Sequence, residues 1–198
     1  MAEIRSTLDM VMERAAKLAA SASDTGRDDD LFHDGMRAGA SFLRGEAINP
    51  ADAVLAVRPE GRLPFTKGLI NTFMRSLVLP RDKESKSDGA LNGLLEMGKL
   101  LPDNSNLTGL IAEIRSILSR YLEHREQLKK QLEEQFSAQM AMLEQKMAQQ
   151  TGVKMKMSPA QHPKFAEEWQ NLQTNLNEQY DNALSQYKDA ITQQLTSH

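Results

Sequence analysis

Apolar residues recur every three or four positions through most of the second half of the chain. From about Ser105 to Gln150 there is no proline, and Gly109 is the only glycine. This spacing places the apolar side chains on one face of a helix. At 1.5 Å per residue the predicted helix is about 65 Å long.

The same spacing returns from Phe165 to Leu195, after a segment at 151–163 that contains Gly152, Pro159 and Pro163. A polar connection of this length allows the second helix to turn back on the first, which predicts an antiparallel, coiled-coil-like helical hairpin with its turn near 151–163. The predicted seam between the two helices consists of Leu128, Leu132, Phe136, Met140, Leu143, Phe165, Trp169, Leu172, Leu176 and Tyr180.

Counting outward from the turn gives an expected register for the two helices. Phe165 is then expected near Met147, and Tyr180 near Leu132.

The first half has shorter patterns that are separated by glycine, proline and charged stretches. We therefore predict an all-α fold in which a head domain of short helices, residues 1–104, precedes the hairpin at 105–198. The predicted helices of the head run from the N-terminus to about Ala20, from Leu31 to about Gly45, from Ala51 to Val57, from Phe65 to Leu77 and from Leu91 to Leu101.

Three features of the head mark its expected interruptions. The polar stretch from Ser21 to Asp30 is predicted to be a loop, and Gly35 and Gly39 are predicted to interrupt the second helix. Asn49 followed by Pro50 is a strong start signal for the third helix.

The first helix is expected to pack on its own domain, with docking to another protein as the alternative.

Charge and composition limit the classes of partner. The formal net charge is -3 and neither half of the chain is basic, so nucleic acid is not an expected partner. The chain has no cysteine and no apolar run long enough for a membrane span. Without a visible signal segment, the expected location is the cytoplasm.

No pattern typical of catalysis is present. Gly93 to Leu100 resembles a phosphate-binding loop, but its last position is Leu100 where Ser or Thr would hold magnesium. The four histidines, His33, His124, His162 and His198, lack metal-binding spacing. We therefore expect no catalytic residues, no metal and no cofactor, and predict that the protein is not an enzyme.

Methionine is abundant near the predicted turn, with Met155 and Met157 alternating with lysine after Val153. Val153, Met155 and Met157 are candidates for an exposed tip that binds a partner. The methionines of the helices are more simply interpreted as filling gaps in the seam.

The segment from Glu3 to Arg14, EIRSTLDMVMER, resembles the opening of a family of uncharacterised bacterial proteins. The resemblance implies no activity and assigns no functional residue.

Two functions fit these patterns best, and an enzyme whose active site has no sequence signature is a third, less favoured alternative. The first is a non-enzymatic interaction or scaffold protein, in which the hairpin binds a protein partner or pairs with a second copy into a four-helix bundle. The alternative is a small-ligand-binding or regulatory protein with a pocket in the head. The side chains expected to line that pocket are Phe32, Phe42, Phe65, Phe73 and Met74.

Overall fold

The computed structural model describes residues 7–82, 87–151 and 163–197, and within these residues the fold is all-α, without strands. The all-α prediction is therefore confirmed. The helices are α1 (Thr7–Leu43), α2 (Pro50–Ala56), a 3-10 turn (Pro59–Gly61), α3 (Arg62–Ser76), α4 (Ser87–Gly98), α5 (Ser105–Thr151) and α6 (Pro163–Thr196).

The chain forms two compact units. The first unit comprises the described residues of Met1–Leu77, Asp88–Thr108 and Thr192–His198. The second unit comprises the described residues of Val78–Ser87 and Gly109–Ile191.

Helix α1 runs without interruption through the stretch from Ser21 to Asp30, so the predicted loop there is wrong. The stretch contains no proline, and its one glycine, Gly26, lies in open space. A single exposed glycine costs a helix only about 1 kcal/mol relative to alanine, which is too little to end it. Polar composition alone therefore gave a false loop signal.

The glycines of α1 and α3 allow the two helices to approach until their backbones touch. A β-carbon built on Gly35 would lie 2.0 Å from the carbonyl oxygen of Phe65, and one built on Gly68 would lie 2.0 Å from that of Phe32. One turn further along α1, Gly39 faces Thr72, whose hydroxyl donates to the carbonyl of Met36 at 3.2 Å. These glycines therefore define a helix crossing, and they do not interrupt α1.

The core of the first unit is centred on Phe73, which is fully buried. Its ring meets Phe42 edge to face, with the ring centroids 5.8 Å apart. The same ring covers Gly93 of α4, where a β-carbon would lie 2.6 Å from it. Leu69 and Leu77 complete this aliphatic and aromatic core without exposed surface.

Helix α2 begins where Asn49 and Pro50 predict. The Asn49 side chain accepts hydrogen bonds from the backbone N–H groups of Ala51 and Asp52, at 2.8 and 3.3 Å. Its amide nitrogen also donates to Glu96 of α4 at 2.9 Å. One residue thus satisfies the first turn of α2 and links it to a second helix.

In the second unit, α5 and α6 pack with opposite directions. Phe136 contacts Phe165, whereas Tyr121, earlier in α5, contacts Tyr180, later in α6. The expected register is wrong, because Phe165 lies against Phe136, which is about three helical turns before the position in α5 that the count gave. The expected register came from counting residues equally outward from the turn. The observed register places the rings of Phe136 and Phe165 in contact.

Candidate functional site

The predicted seam residues fall into two groups by burial. Those that are buried are Leu132, Phe136, Met140, Phe165 and Leu176. Those that keep part of their surface exposed are Leu128, Trp169, Leu172 and Tyr180. Leu143 lies in α5, and its side chain is outside the described part of the structure.

The centre of the seam is a small cluster of Leu132, Phe136 and Phe165. The two phenylalanine rings meet edge to face, with centroids 5.5 Å apart and planes at 85°. Trp169 and Leu172 pack against this cluster but are only partly buried. Two helices cannot surround their own seam, so an apolar edge remains accessible on each side.

One side of the seam opens into a shallow cavity of about 370 Å³, which we call the amide-rimmed flank. Its floor consists of Leu128, Leu132 and Leu172. Its rim consists of Gln131, Gln135, Asn171 and Glu168. Three of these four rim side chains are neutral, so the flank combines an apolar floor with little charge.

The other side of the seam carries many charges. A cavity of about 300 Å³ lies between Leu122 and Trp169 and is bordered by Arg81, Asp82, Arg125, Glu126 and Lys129. The Arg125 guanidinium donates a hydrogen bond to the backbone carbonyl of Arg81. Both signs of charge are present, so this side is typical of a solvated helix surface.

Further along the seam, Tyr121 provides a buried polar link between α5 and α6. Its hydroxyl donates to the Asn177 side chain at 2.8 Å, and its ring meets Tyr180 edge to face at 5.4 Å. Burial raises the pKa of Tyr121 above its ordinary value, with a smaller opposing contribution from Arg125. Burial likewise lowers the pKa of Lys188 in the same unit.

The candidate tip of Val153, Met155 and Met157 lies outside the described residues, and so does most of the predicted turn at 151–163. Its role in partner binding stays a prediction.

Sequence reasoning missed a cavity of about 560 Å³ in the first unit, which we call the aliphatic cavity. It is formed by α2, the 3-10 turn, the first turns of α3, the end of α4 and the end of α6. Its apolar lining includes Leu55, Leu63, Met97, Leu100, Leu101 and Leu195. A useful sequence signal would have been the leucines at 55 and 63, which lie off the buried faces of α2 and α3.

Polar groups in the aliphatic cavity are few. They are Arg62, Thr66, Thr196 and Ser197. The Arg62 side chain is held by two backbone carbonyls, since Nε donates to Val57 at 3.0 Å and Nη2 to Leu55 at 3.3 Å.

The aromatic pocket expected in the head is not what forms the aliphatic cavity. Phe65 and Phe73 are buried in the core, and none of Phe32, Phe42 and Met74 lines the cavity. Phe42 borders a different, more open depression together with Ile48. The aromatic side chains mainly fill the core, and aliphatic side chains form the cavity.

The glycines of the phosphate-loop resemblance have a packing role. Gly93 and Gly98 are buried positions of α4, covered by Phe73 and by Leu107 respectively. A β-carbon at Gly98 would lie 2.6 Å from Leu107. The segment is a helix and not a loop, so its backbone N–H groups do not converge on a phosphate.

Within the part of the chain that the structure describes, no group of three or more His, Asp or Glu side chains is arranged to hold a metal ion. The same residues include no helix long and apolar enough to cross a membrane. His33 lies on the surface of α1, where its Nδ1 is 2.8 Å from the Asp29 carbonyl.

The protein is thus helical in its described residues, with one unit in which glycines bring α1 and α3 together and a second unit built mainly from α5 and α6. Residues 51–193 match a family of unknown function, DUF6657. Because this match spans most of the chain, the protein belongs to that family. The expected relationship to an uncharacterised family is thus confirmed, although the matched span does not include Glu3 to Arg14. No curated protein and no solved structure matches the chain.

Proposed function

We propose that the protein is a non-enzymatic interaction protein that self-associates through the amide-rimmed flank of its second unit. The observation that carries the proposal is the partial exposure of Leu128 and Leu172 on this flank. A second copy that covers both leucines would convert two helices into a four-helix bundle.

The charge distribution supports a second copy as the occupant. In a two-fold symmetric contact the same surface meets itself, so a charged rim would place like charges together. The amide-rimmed flank keeps this cost low, because Gln131, Gln135 and Asn171 are neutral and can form hydrogen bonds across the contact, and Glu168 is its single charged rim side chain. The opposite side carries five charged side chains of both signs, so association there would have to pair or dehydrate each of them.

The remaining exposed face of α5 supports the same choice. Lys129 and Lys130 lie near Glu133 and Glu134 one turn later, at 3.8 and 3.9 Å. These pairs neutralise their own charges and keep that face hydrated. The amide-rimmed flank is therefore the better surface for association.

The test is the molar mass of the purified full chain by light scattering over a concentration series from 1 to about 100 µM, a range set by transient protein affinities. We expect a concentration-dependent dimer. Gln135→Arg places two like charges across the contact and is expected to raise the dissociation constant about tenfold. Gln127→Arg adds the same charge at an exposed position of α5 that does not line the flank, and is the control.

A monomer at every concentration would refute self-association. A dimer that Gln135→Arg and Gln127→Arg weaken equally would refute the choice of flank. Circular dichroism of each variant separates these outcomes from loss of folding.

A further inference from the structure

The aliphatic cavity of the first unit combines one cation with an otherwise neutral lining. Among the described residues, Arg62 is the only charged side chain that lines it, and none of the ion pairs of these residues involves Arg62. Arg62 is partly buried, so its charge is less hydrated than that of a surface arginine. An anionic group in the cavity would interact favourably with the Arg62 guanidinium and so offset the hydration that this cation has lost.

The Arg62 guanidinium is held in place before any ligand arrives. Nε and Nη2 donate to the carbonyls of Val57 and Leu55, at the end of α2. A guanidinium has five N–H donors, so three remain for an anion. Because the side chain is already fixed, binding would not require it to lose further conformational freedom.

The apolar lining is aliphatic throughout. Leucine, valine, proline and methionine side chains form it, and none of the described lining residues is aromatic. Such a lining fits a flexible hydrocarbon chain better than a planar ring, which would seek stacking partners. Met97, which lines the cavity and is almost fully buried, adds an adaptable contact.

Two of the exposed lining residues are leucines. Leu55 and Leu63 are 53% and 47% exposed. A chain that extends from Arg62 over these leucines would cover hydrophobic surface that water now contacts, and this burial favours binding.

The size of the cavity selects between a small molecule and a protein helix. Its volume of about 560 Å³ lies within the range of sites for single small ligands. A three-turn helix with its side chains occupies roughly 1,300 Å³, given a diameter near 10 Å and a length near 16 Å. The cavity could therefore take only a few side chains of such a helix.

We propose that the aliphatic cavity binds a free fatty carboxylate, with the carboxylate at Arg62 and the hydrocarbon chain along Leu63, Met97 and Leu101. The site lies in the first unit and is independent of the proposed self-association through the second.

The test is isothermal titration calorimetry of the full chain with dodecanoate and with dodecanol, both below the concentration at which they aggregate. Dodecanol has the same chain without the charge. We expect saturable binding of one dodecanoate per chain. Arg62→Gln is expected to weaken dodecanoate about tenfold, as for loss of a charge-assisted hydrogen bond, and to leave dodecanol unchanged.

Three further variants separate binding from a structural role of Arg62. Arg62→Lys keeps the charge and is expected to retain most of the preference for dodecanoate over dodecanol. Leu63→Gln is expected to weaken both compounds, because it removes only apolar contact at a half-exposed position. Arg58→Gln removes an exposed charge that does not line the cavity and is expected to change neither.

Absence of saturable dodecanoate binding would overturn the proposal. So would an equal loss of dodecanoate and dodecanol in Arg62→Gln, since that result means Arg62 only supports the end of α2. Should Arg62→Gln fail to fold, Arg62→Lys and Leu63→Gln decide the matter by the same comparison.

Discussion

The two units of this protein stabilise helix pairs in opposite ways. In the first unit α1 and α3 meet where side chains are missing, so that the backbones of Gly35 and Gly68 lie against the opposite helix. In the second unit α5 and α6 meet through large side chains, with Phe136 against Phe165 and Tyr121 against Tyr180. We therefore expect the first contact to be destabilised by substitutions that add atoms, and the second by substitutions that remove them.

The largest effect is expected in the aromatic seam. Phe136→Ala removes a buried ring that packs on Phe165 and should destabilise the protein by about 4 kcal/mol, as is typical for phenylalanine in a core. Urea unfolding followed by the fluorescence of Trp169, the single tryptophan, measures this locally, because Trp169 packs against the same cluster. Met142→Ala, at an exposed position of the same helix, is the control and should change stability little. A loss below about 1 kcal/mol for Phe136→Ala would mean that the ring is not part of a filled core.

A glycine pair gives the reverse test. Gly35→Ala adds one methyl group against the Phe65 carbonyl and should cost about 3 kcal/mol, because two backbones must separate. Gly109→Ala adds the same group in α5, where nothing lies within 4 Å, and should stabilise by about 0.5–1 kcal/mol. Thermal unfolding by circular dichroism gives both values. Effects of the same sign would show that close backbone approach does not distinguish the two positions.

The smallest effect concerns the polar link of the seam. Tyr121→Phe loses the hydrogen bond to Asn177 and should cost about 1 kcal/mol near neutral pH. Because burial raises the pKa of Tyr121, the folded protein keeps this proton when the unfolded chain has released it. The contribution of Tyr121 to the free energy of unfolding is therefore fully present below the ordinary tyrosine pKa, and it decreases as the pH rises above about 10. The difference between wild type and Tyr121→Phe in urea unfolding should shrink over that alkaline range, and a constant difference would contradict the assignment.

Sequence periodicity predicted the parts of the fold that depend on apolar spacing or on local capping. The long helix α5 and the start of α2 at Asn49 and Pro50 belong to this class. Sequence periodicity gave a wrong prediction at glycine, because glycine can either end a helix or allow two helices to pack closely. Gly35 and Gly39 were interpreted as breaks in a helix, although they permit its closest packing.

The sites were less accessible to sequence reasoning than the helices. The seam could be listed because both helices repeat every three to four residues, but its register depends on which rings meet across space. The aliphatic cavity joins residues as far apart as Leu55 and Leu195, and no local pattern links those positions. Its cation, Arg62, is distinctive only through contacts with carbonyls of a different helix.

The crossing of α1 and α3 also has a consequence for how the protein opens over time. The amide nitrogens of Met36 in α1 and Leu69 in α3 lie at the crossing, 2.9 and 3.2 Å from a β-carbon built on the glycine of the opposite helix. We therefore expect solvent not to reach these two amide hydrogens while the crossing is intact. Their exchange with deuterium should therefore follow the opening of that crossing, and not the fraying of either helix end. Because side-chain fluctuations cannot loosen a contact between two backbones, we expect these amides to be among the slowest of the first unit to exchange with deuterium.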